Sequence, residues 1–70
     1  MVDKNNELIV KGQVIESLPA TLFRVQVGDQ VILSYLGGKM RIHKIRILVG
    51  DKVEVLLDSY GGKARIVKRL

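Results

Sequence analysis

The chain contains no cysteine and one histidine. Without cysteine, neither disulfides nor thiolate–metal bonds can reinforce the fold, and a single histidine leaves a zinc site without its usual ligands. No segment is long and apolar enough to span a bilayer, and the polar N-terminus has no apolar stretch of the signal-peptide type. We therefore expect no metal or cofactor, and a location in the cytoplasm of a bacterium or in the stroma of a plastid.

The ingredients of an active site are also missing. Ser17, Ser34 and Ser59 share one possible base, His43, and nothing in their surroundings indicates an ordered triad or a nucleophile elbow. No phosphate-loop pattern is present. The seven acidic residues are scattered and form no obvious carboxylate pair. The sequence therefore predicts a protein that is not an enzyme.

Acidic residues are absent from two stretches of the chain. Residues 30–50 and 59–70 together hold eight of the twelve basic residues and none of the seven acidic ones, within a net charge of +5. Segregated positive charge is typical of a protein with a polyanionic partner. A basic surface that is merely solvated is the alternative interpretation.

The apolar residues indicate an all-β fold. They make up 47% of the chain against 4% aromatic, and they alternate with polar residues in short runs separated by turn signals. The predicted strands are residues 8–16, 21–27, 30–36, 52–58 and 63–69. In residues 38–46 the alternation breaks and Ile42 and Ile45 lie three apart, which favours a short helix.

Five strands with a helix between the third and fourth predict a five-stranded Greek-key oligonucleotide-binding (OB-fold) barrel. An SH3-like barrel, the nearest competitor, does not ordinarily require that helix. Residues 1–7 are expected to be a flexible polar N-terminus and residues 8–70 a single domain. Within the barrel, Gly12 indicates a bulge or a tight bend, and Gly28-Asp29 a two-residue type II′ hairpin.

Several segments resemble one family when they are taken in order. They are Leu18-Pro-Ala-Thr-Leu-Phe-Arg-Val25, Gly38-Lys-Met-Arg41, Ile45-Arg-Ile-Leu48, Gly50-Asp-Lys-Val53 and Arg65-Ile-Val67. Their order and spacing resemble bacterial translation initiation factor one, of the S1-like OB-fold family. The resemblance implies a factor without known catalytic activity that binds the small ribosomal subunit at the decoding (A) site and occludes it during initiation. It also implies contacts with ribosomal RNA, a neighbouring ribosomal protein and the other initiation factors, including the GTPase that brings initiator tRNA.

The chain departs from the family pattern at several positions. Lys44 and Lys68 stand where the family often has aromatic residues, and Tyr35 where it often has histidine. The hairpin at Gly28-Asp29 and the loop at residues 60–62 each look about one residue shorter than usual. The two lysines take the place of aromatic residues and add positive charge, which is compatible with RNA as the partner.

The candidate RNA-binding residues combine the two acid-free stretches with the positions that match the family's motifs. They are Arg24, Lys39, Met40, Arg41, His43, Lys44, Arg46, Tyr60, Lys63, Arg65, Lys68 and Arg69. Lysine and arginine gain affinity for RNA by neutralising phosphates and releasing counterions, and arginine adds a fork that grips phosphate at two points.

Some of these residues have a second interpretation. Met40 fits a core residue that caps the barrel as well as a contact, and His43 fits a plain surface position. Tyr60, in a loop, is a better candidate for base stacking than Tyr35. Core packing is favoured for Tyr35, which shares a strand face with Val31 and Leu33.

The scarcity of aromatic residues favours electrostatic, shape-based docking on RNA over the stacking of single-stranded bases. The alternative function is a general single-stranded RNA-binding OB-fold module or a ribosomal protein.

Overall fold

The predicted all-β barrel is present in the structure. A computed structural model describes the backbone of residues 7–58 and 63–70 and the side chains of residues 8–57 and 63–70. The elements are β1 (Glu7–Leu18), β2 (Leu22–Val27), β3 (Gln30–Leu36), α1 (Gly38–Ile42), β4 (Lys52–Asp58) and β5 (Ala64–Arg69). They form a closed barrel in the order β1-β2-β3-β5-β4, with the helix between the third and fourth strands as predicted.

One pairing in the barrel decides which residues meet. The β3 and β5 strands run parallel, with Ser34 beside Ala64 and Leu36 beside Ile66, whereas the other neighbouring strands are antiparallel. The carboxyl ends of β3 and β5 therefore lie at the same end of the barrel. The helix α1 follows β3 at that end, and β5 finishes there.

The core consists mainly of aliphatic side chains from β1, β2, α1, β4, β5 and the segment that follows the helix. Among the residues whose side chains are described, nine hydrophobic ones are buried: Val14, Phe23, Val25, Met40, Ile47, Val53, Val55, Ala64 and Ile66. The inward faces of β1, β2 and β4 meet through strand pairing, since Val14 pairs with Val25 and Val10 with Val55. The predicted bounds of the third and fourth strands match, and β1 extends two residues further toward β2 than predicted.

The predicted inward face of β3 is wrong. Val31 and Leu33 are 49% and 37% exposed, whereas Ser34 is fully buried. Ser34 pairs with Phe23 on β2, so a small side chain next to the ring fits the packed interior. Its hydroxyl donates a hydrogen bond to the carbonyl oxygen of Ile32 at 3.3 Å, which satisfies the buried polar group. Tyr35 therefore lies on the outer face of the barrel and is not a core residue.

Two bulges curve the barrel, and neither is at Gly12. On β1, Val14 pairs with Val25 but Glu16 pairs with Arg24, which leaves Ile15 as the extra residue. Gly12 serves instead as a point of close approach, because a Cβ there would lie 2.6 Å from Cγ1 of Val25. On β5, Val67 is the extra residue between the pairs that Ile66 and Lys68 make with β4.

The β2–β3 hairpin has the predicted two-residue loop, since Val27 pairs with Gln30. Gly28 has the positive φ (+58°) that the predicted turn needs.

The helix is shorter than the predicted segment, residues 38–46, and Met40, not Ile42, is its buried residue. It ends at Ile42, whose side chain is 76% exposed. Met40 is the buried residue of the helix, at 3% exposure, and half-buried Ile45 packs against the core from beyond the helix end. The spacing of Ile42 and Ile45 therefore indicated a helix correctly, but not its inward face.

Candidate nucleic-acid interface

The two acid-free stretches meet at the end of the barrel where β3 and β5 finish. The guanidinium of Arg69 donates a hydrogen bond through Nη1 to the main-chain carbonyl oxygen of Arg46, at 3.1 Å. This contact joins the last strand to the segment that follows α1. Because the acceptor is a carbonyl group, the contact leaves both positive charges in place. The topology thus brings together segments that lie more than twenty residues apart in the sequence.

A cleft of about 320 Å³ lies between α1 and β5 at the same end. Its cationic walls are Lys39 at the start of α1 and Arg65 on β5, with Gly37, Gly38, Met40 and Val67 completing the lining. Arg65 donates a hydrogen bond from Nε to the hydroxyl oxygen of Tyr35 at 3.3 Å, and its Cζ lies 5.9 Å from the centre of the tyrosine ring. Two cations thus line the cleft.

The helix connects this cleft to the turn between β1 and β2. Arg41 donates a hydrogen bond from Nη2 to the hydroxyl oxygen of Thr21 at 2.9 Å, and that hydroxyl donates to the carbonyl oxygen of Ala20. Ala20 and Thr21 have φ values of +64° and +57°. A β-branched residue rarely adopts this conformation, so the contact with Arg41 supports an unusual turn at the barrel end.

Lys44, two residues beyond the last residue of α1, has a left-handed backbone conformation. Its φ is +53°. The N–H of Lys44 donates to the carbonyl of Arg41 at 3.1 Å, and the N–H of Ile45 donates to the carbonyl of Met40 at 2.9 Å. These two bonds form a Schellman motif, and the accompanying apolar contact is supplied by Ile45 and Met40. The motif fixes the path of the chain from the helix to Arg46.

A second rigid turn follows Arg46. The N–H of Leu48 donates to Oδ2 of Asp51 at 2.9 Å, and the N–H of Asp51 donates back to the carbonyl of Leu48 at 3.0 Å. Gly50 has a φ of +99°, and its N–H donates to the carbonyl of Val14 at 2.7 Å. This turn is therefore attached to β1 through Val14.

We call the exposed basic residues at this end the cationic rim. It comprises Lys39, Arg41, Lys44, Arg46, Arg65 and Arg69. Its six members come from α1, the segment after it and β5, where Arg65 lies beside Tyr35 near the end of β3 and Arg69 contacts Arg46. Lys63, which is exposed and precedes β5, and His43, which is exposed at the end of α1, adjoin the rim in sequence.

Three of the predicted residues stand apart from the rim. Arg24 forms an ion pair with Glu16, with 3.1 Å between Nε and Oε1. Lys68 lies directly opposite Glu54 on β4, and Lys11 on β1 also faces Glu54. Cross-strand neighbours of opposite charge attract each other, so the charges of Arg24 and Lys68 are partly balanced locally. Met40 points into the core, which confirms the interpretation of Met40 as a packing residue.

Two supporting residues were not among the predicted ones. Thr21 accepts the hydrogen bond from Arg41, and Tyr35 accepts that from Arg65. A residue pattern does not show which hydroxyl groups lie beside which guanidinium groups, so the sequence had no signal for either role. Tyr60, proposed for base stacking, lies outside the described residues.

Within residues 7–58 and 63–70, no cluster of three histidine, cysteine or carboxylate side chains could hold a metal ion. In the same part of the chain no helix is long and apolar enough to cross a membrane.

Comparison with known proteins decides the family. The sequence model of the family described as "Translation initiation factor 1A / IF-1" matches residues 1–70. The chain belongs to this family. Its relationship to the bacterial members is shown by the solution structure of translation initiation factor IF-1 from the Wolbachia endosymbiont strain TRS of Brugia malayi. That structure is 38% identical, has a TM-score of 0.78, and aligns over 97% of this chain and 84% of its own.

The crystal structure of YjeQ from Thermotoga maritima is also similar. It is 31% identical to this chain with a TM-score of 0.74, and the match covers 90% of this chain but 23% of that one. The same barrel therefore occurs as one part of a larger protein. The Translation initiation factor 1A / IF-1 family is one of translation factors with an OB fold and not a class of enzymes. Ribosome association is what membership implies for this chain.

Proposed function

We propose that this chain is a translation initiation factor that docks on ribosomal RNA of the small ribosomal subunit at the decoding (A) site. It occludes that site during initiation and aids the other initiation factors, including the GTPase that brings initiator tRNA. It acts in the cytoplasm as a monomer and also touches a neighbouring ribosomal protein. The observation that carries the proposal is the contact between Arg69 and the carbonyl oxygen of Arg46, which unites the two acid-free stretches.

The chemistry of the cationic rim supports RNA as the ligand. Each lysine or arginine that neutralises a phosphate releases condensed counterions, which supplies affinity that falls as salt rises. The four arginines of the rim add planar forks that match phosphate oxygens. A rigid barrel holds these groups in a fixed pattern, and a fixed pattern of cations recognises the shape of folded RNA.

The direct test is co-sedimentation of the chain with isolated small subunits, with and without the other initiation factors, followed by chemical probing of the RNA. We expect the chain to pellet with the subunits and to protect nucleotides of the decoding site. Binding to a single-stranded oligonucleotide is measured in parallel at the same salt concentration. Tighter binding to the oligonucleotide, without protection of the decoding site, would favour a general single-stranded RNA-binding module instead.

A matched pair of variants tests whether the rim is the binding surface. Arg46→Ala removes an exposed guanidinium but keeps the carbonyl group that accepts from Arg69. The loss of one phosphate contact should reduce the slope of log K against log salt by about 0.7–0.9. Lys11→Ala is the control, since Lys11 faces Glu54 on the barrel wall. Equal effects of the two substitutions would refute the assignment of the rim.

A further inference from the structure

We propose that Thr21, in the turn between β1 and β2, is a positioning residue that orders Arg41 before RNA binds, so that the turn and α1 together present one guanidinium to an RNA phosphate. The inference rests on the proposed function and adds to it a neutral residue outside the acid-free stretches. The observations that carry it are the hydrogen bond from Nη2 of Arg41 to the hydroxyl oxygen of Thr21, at 2.9 Å, and the left-handed backbone of Thr21, with a φ of +57°.

The pairing of β1 with β2 fixes the position of the threonine. Leu18 on β1 pairs with Leu22 on β2, so residues 19–21 form the loop between the two strands. Ala20 and Thr21 in this loop have φ values of +64° and +57°. Glycine and asparagine adopt this conformation far more readily than a β-branched residue does. A threonine held in a strained backbone conformation at an exposed turn indicates that its side chain has a role.

The hydroxyl group of Thr21 is oriented to accept a hydrogen bond. A threonine hydroxyl has one hydrogen to donate and two lone pairs that accept. The hydrogen is donated to the carbonyl oxygen of Ala20, at 2.6 Å. The lone pairs are thereby left for a donor, and Nη2 of Arg41 supplies it. The guanidinium, the hydroxyl and the carbonyl form a short chain of hydrogen bonds in which each bond polarises the next.

Arg41 is fixed at its backbone as well as at its guanidinium. Its N–H donates to the carbonyl of Gly37 at 3.2 Å, and its own carbonyl accepts from the N–H of Lys44 at 3.1 Å. The neighbouring Met40 is buried in the core and anchors the helix to the barrel. The arginine side chain therefore spans from a fixed helix to a fixed turn, and this span restricts the rotamers of its long stem.

The contact with Thr21 leaves the guanidinium able to bind a phosphate. Arg41 is exposed, and no carboxylate within residues 8–57 and 63–70 forms an ion pair with it. The threonine accepts from one of the five N–H groups of the guanidinium, and a neutral hydroxyl leaves the positive charge in place. Two of the remaining N–H groups are sufficient for a bidentate contact with phosphate oxygens.

The physical benefit of this arrangement is preorganisation. An arginine that is ordered before RNA binds loses less rotamer freedom on binding, and ordering one such side chain typically changes affinity by about twofold to tenfold. Thr21→Val keeps the β-branch and nearly the same shape but removes the hydroxyl acceptor. We therefore expect this substitution to weaken binding to small subunits by about twofold to tenfold, and Thr21→Ser, which keeps the hydroxyl, to bind as the wild type does.

The salt dependence of binding separates positioning from a phosphate contact. Arg41→Ala removes a phosphate contact and should reduce the slope of log K against log salt by about 0.7–0.9. Thr21→Val leaves the number of phosphate contacts unchanged. It should therefore lower the affinity at every salt concentration by the same factor and leave the slope unchanged.

A double-mutant cycle shows whether Thr21 acts through Arg41. Binding to small subunits is measured for the wild type, Thr21→Val, Arg41→Ala and the double variant at fixed salt. We expect Thr21→Val to weaken binding in the wild type and to have no effect when Arg41 is already alanine. Ser17→Ala is the control, because it removes an exposed hydroxyl near the same end of β1. Among the described side chains no arginine donates to Ser17, so this variant should bind as the wild type does.

The order of the Arg41 side chain gives a readout that needs no ribosome. In the free protein, ¹⁵N relaxation of the Nε–H group of Arg41 should show a more ordered guanidinium in the wild type and Thr21→Ser than in Thr21→Val. The melting temperature, measured on the same samples, shows that the barrel stays folded. Equal order in the wild type and Thr21→Val would refute the positioning role.

The outcomes distinguish the two proposals. If Arg41→Ala weakens binding but Thr21→Val does not, or if Thr21→Val weakens it equally in both backgrounds, the positioning role is refuted and the proposed function stands. If the wild type does not bind small subunits, both proposals are refuted.

Discussion

The left-handed backbone of Lys44 allows stability and RNA binding to be changed in opposite directions. Lys44 has a φ of +53° at the end of α1, where glycine is the usual residue. A side chain in this conformation costs about 1–2 kcal/mol, whereas glycine costs about 0.5–1 kcal/mol in conformational entropy. Lys44→Gly should therefore raise the free energy of unfolding by about 0.5–1 kcal/mol, or the melting temperature by about 2–8 °C.

The same substitution removes one charge from the cationic rim. One phosphate contact contributes about 0.7–0.9 to the slope of log K against log salt, so its loss weakens binding about fivefold to eightfold at 0.1 M salt. Lys44→Ala is the matched control, because it loses the same charge but keeps the left-handed side-chain penalty.

The assay combines thermal denaturation with sedimentation at several salt concentrations. We expect both variants to bind equally weakly and the glycine variant alone to gain stability. A glycine variant no more stable than the alanine variant would refute the backbone argument. Affinity equal to that of the wild type at every salt concentration would refute the role of Lys44 in binding.

Further substitutions test the core and the rim. Met40→Ala should lower the free energy of unfolding by about 2–5 kcal/mol because it leaves a cavity, whereas Met40→Leu should lower it by less than about 1.5 kcal/mol and keep the affinity for small subunits. Chemical denaturation measures the stability of both variants, and sedimentation measures their binding. Loss of affinity without loss of stability would show that Met40 is an RNA contact. Gly12→Ala should cost about 1–3 kcal/mol, because the new methyl group would meet Val25; an unchanged denaturation midpoint would contradict that reasoning. Arg69→Gln should reduce the slope of log K against log salt more than Lys68→Gln does, since Lys68 faces Glu54. A larger reduction by Lys68→Gln would show that the RNA contacts the barrel wall and not the barrel end.

The sequence was sufficient for most of the barrel and failed where both faces of a strand are apolar. In residues 23–27 of β2 and 52–55 of β4, apolar and polar residues alternate, and the inward faces followed from that pattern. On β3 the outward Val31 and Leu33 are as apolar as the inward Ile32 and Leu36. The buried residue of that strand is Ser34, which is small enough to pack beside Phe23. Only the pairing with β2 determines which set points inward.

The sequence predicted which basic residues belong to the candidate site, but not how they are arranged in space. The acid-free stretches identified all six members of the cationic rim. Arg24 and Lys68 looked equivalent to them, because the carboxylates that face them, Glu16 and Glu54, are close only through strand pairing. Arg46 and Arg69 meet because β3 pairs in parallel with β5. This pairing is a long-range feature, and local sequence patterns do not encode it.

The central claim is that both acid-free stretches dock together on the RNA of the decoding site. Because the chain has no cysteine, single cysteines can carry a hydroxyl-radical probe at chosen positions. Ile42→Cys and Leu70→Cys place the probe at exposed sites in the first and second stretch. Asp29→Cys, in the hairpin at the opposite end of β3 from α1 and roughly 20 Å from the helix by strand length, is the control for the probe at residue 42.

Directed cleavage of the RNA in bound small subunits is then the decisive measurement. The account predicts that the probes at residues 42 and 70 cleave overlapping sets of decoding-site nucleotides and that the probe at residue 29 does not cleave the nucleotides that the probe at residue 42 cleaves. Cleavage by the first two probes in unrelated regions of the RNA, or the same pattern from all three, would contradict it.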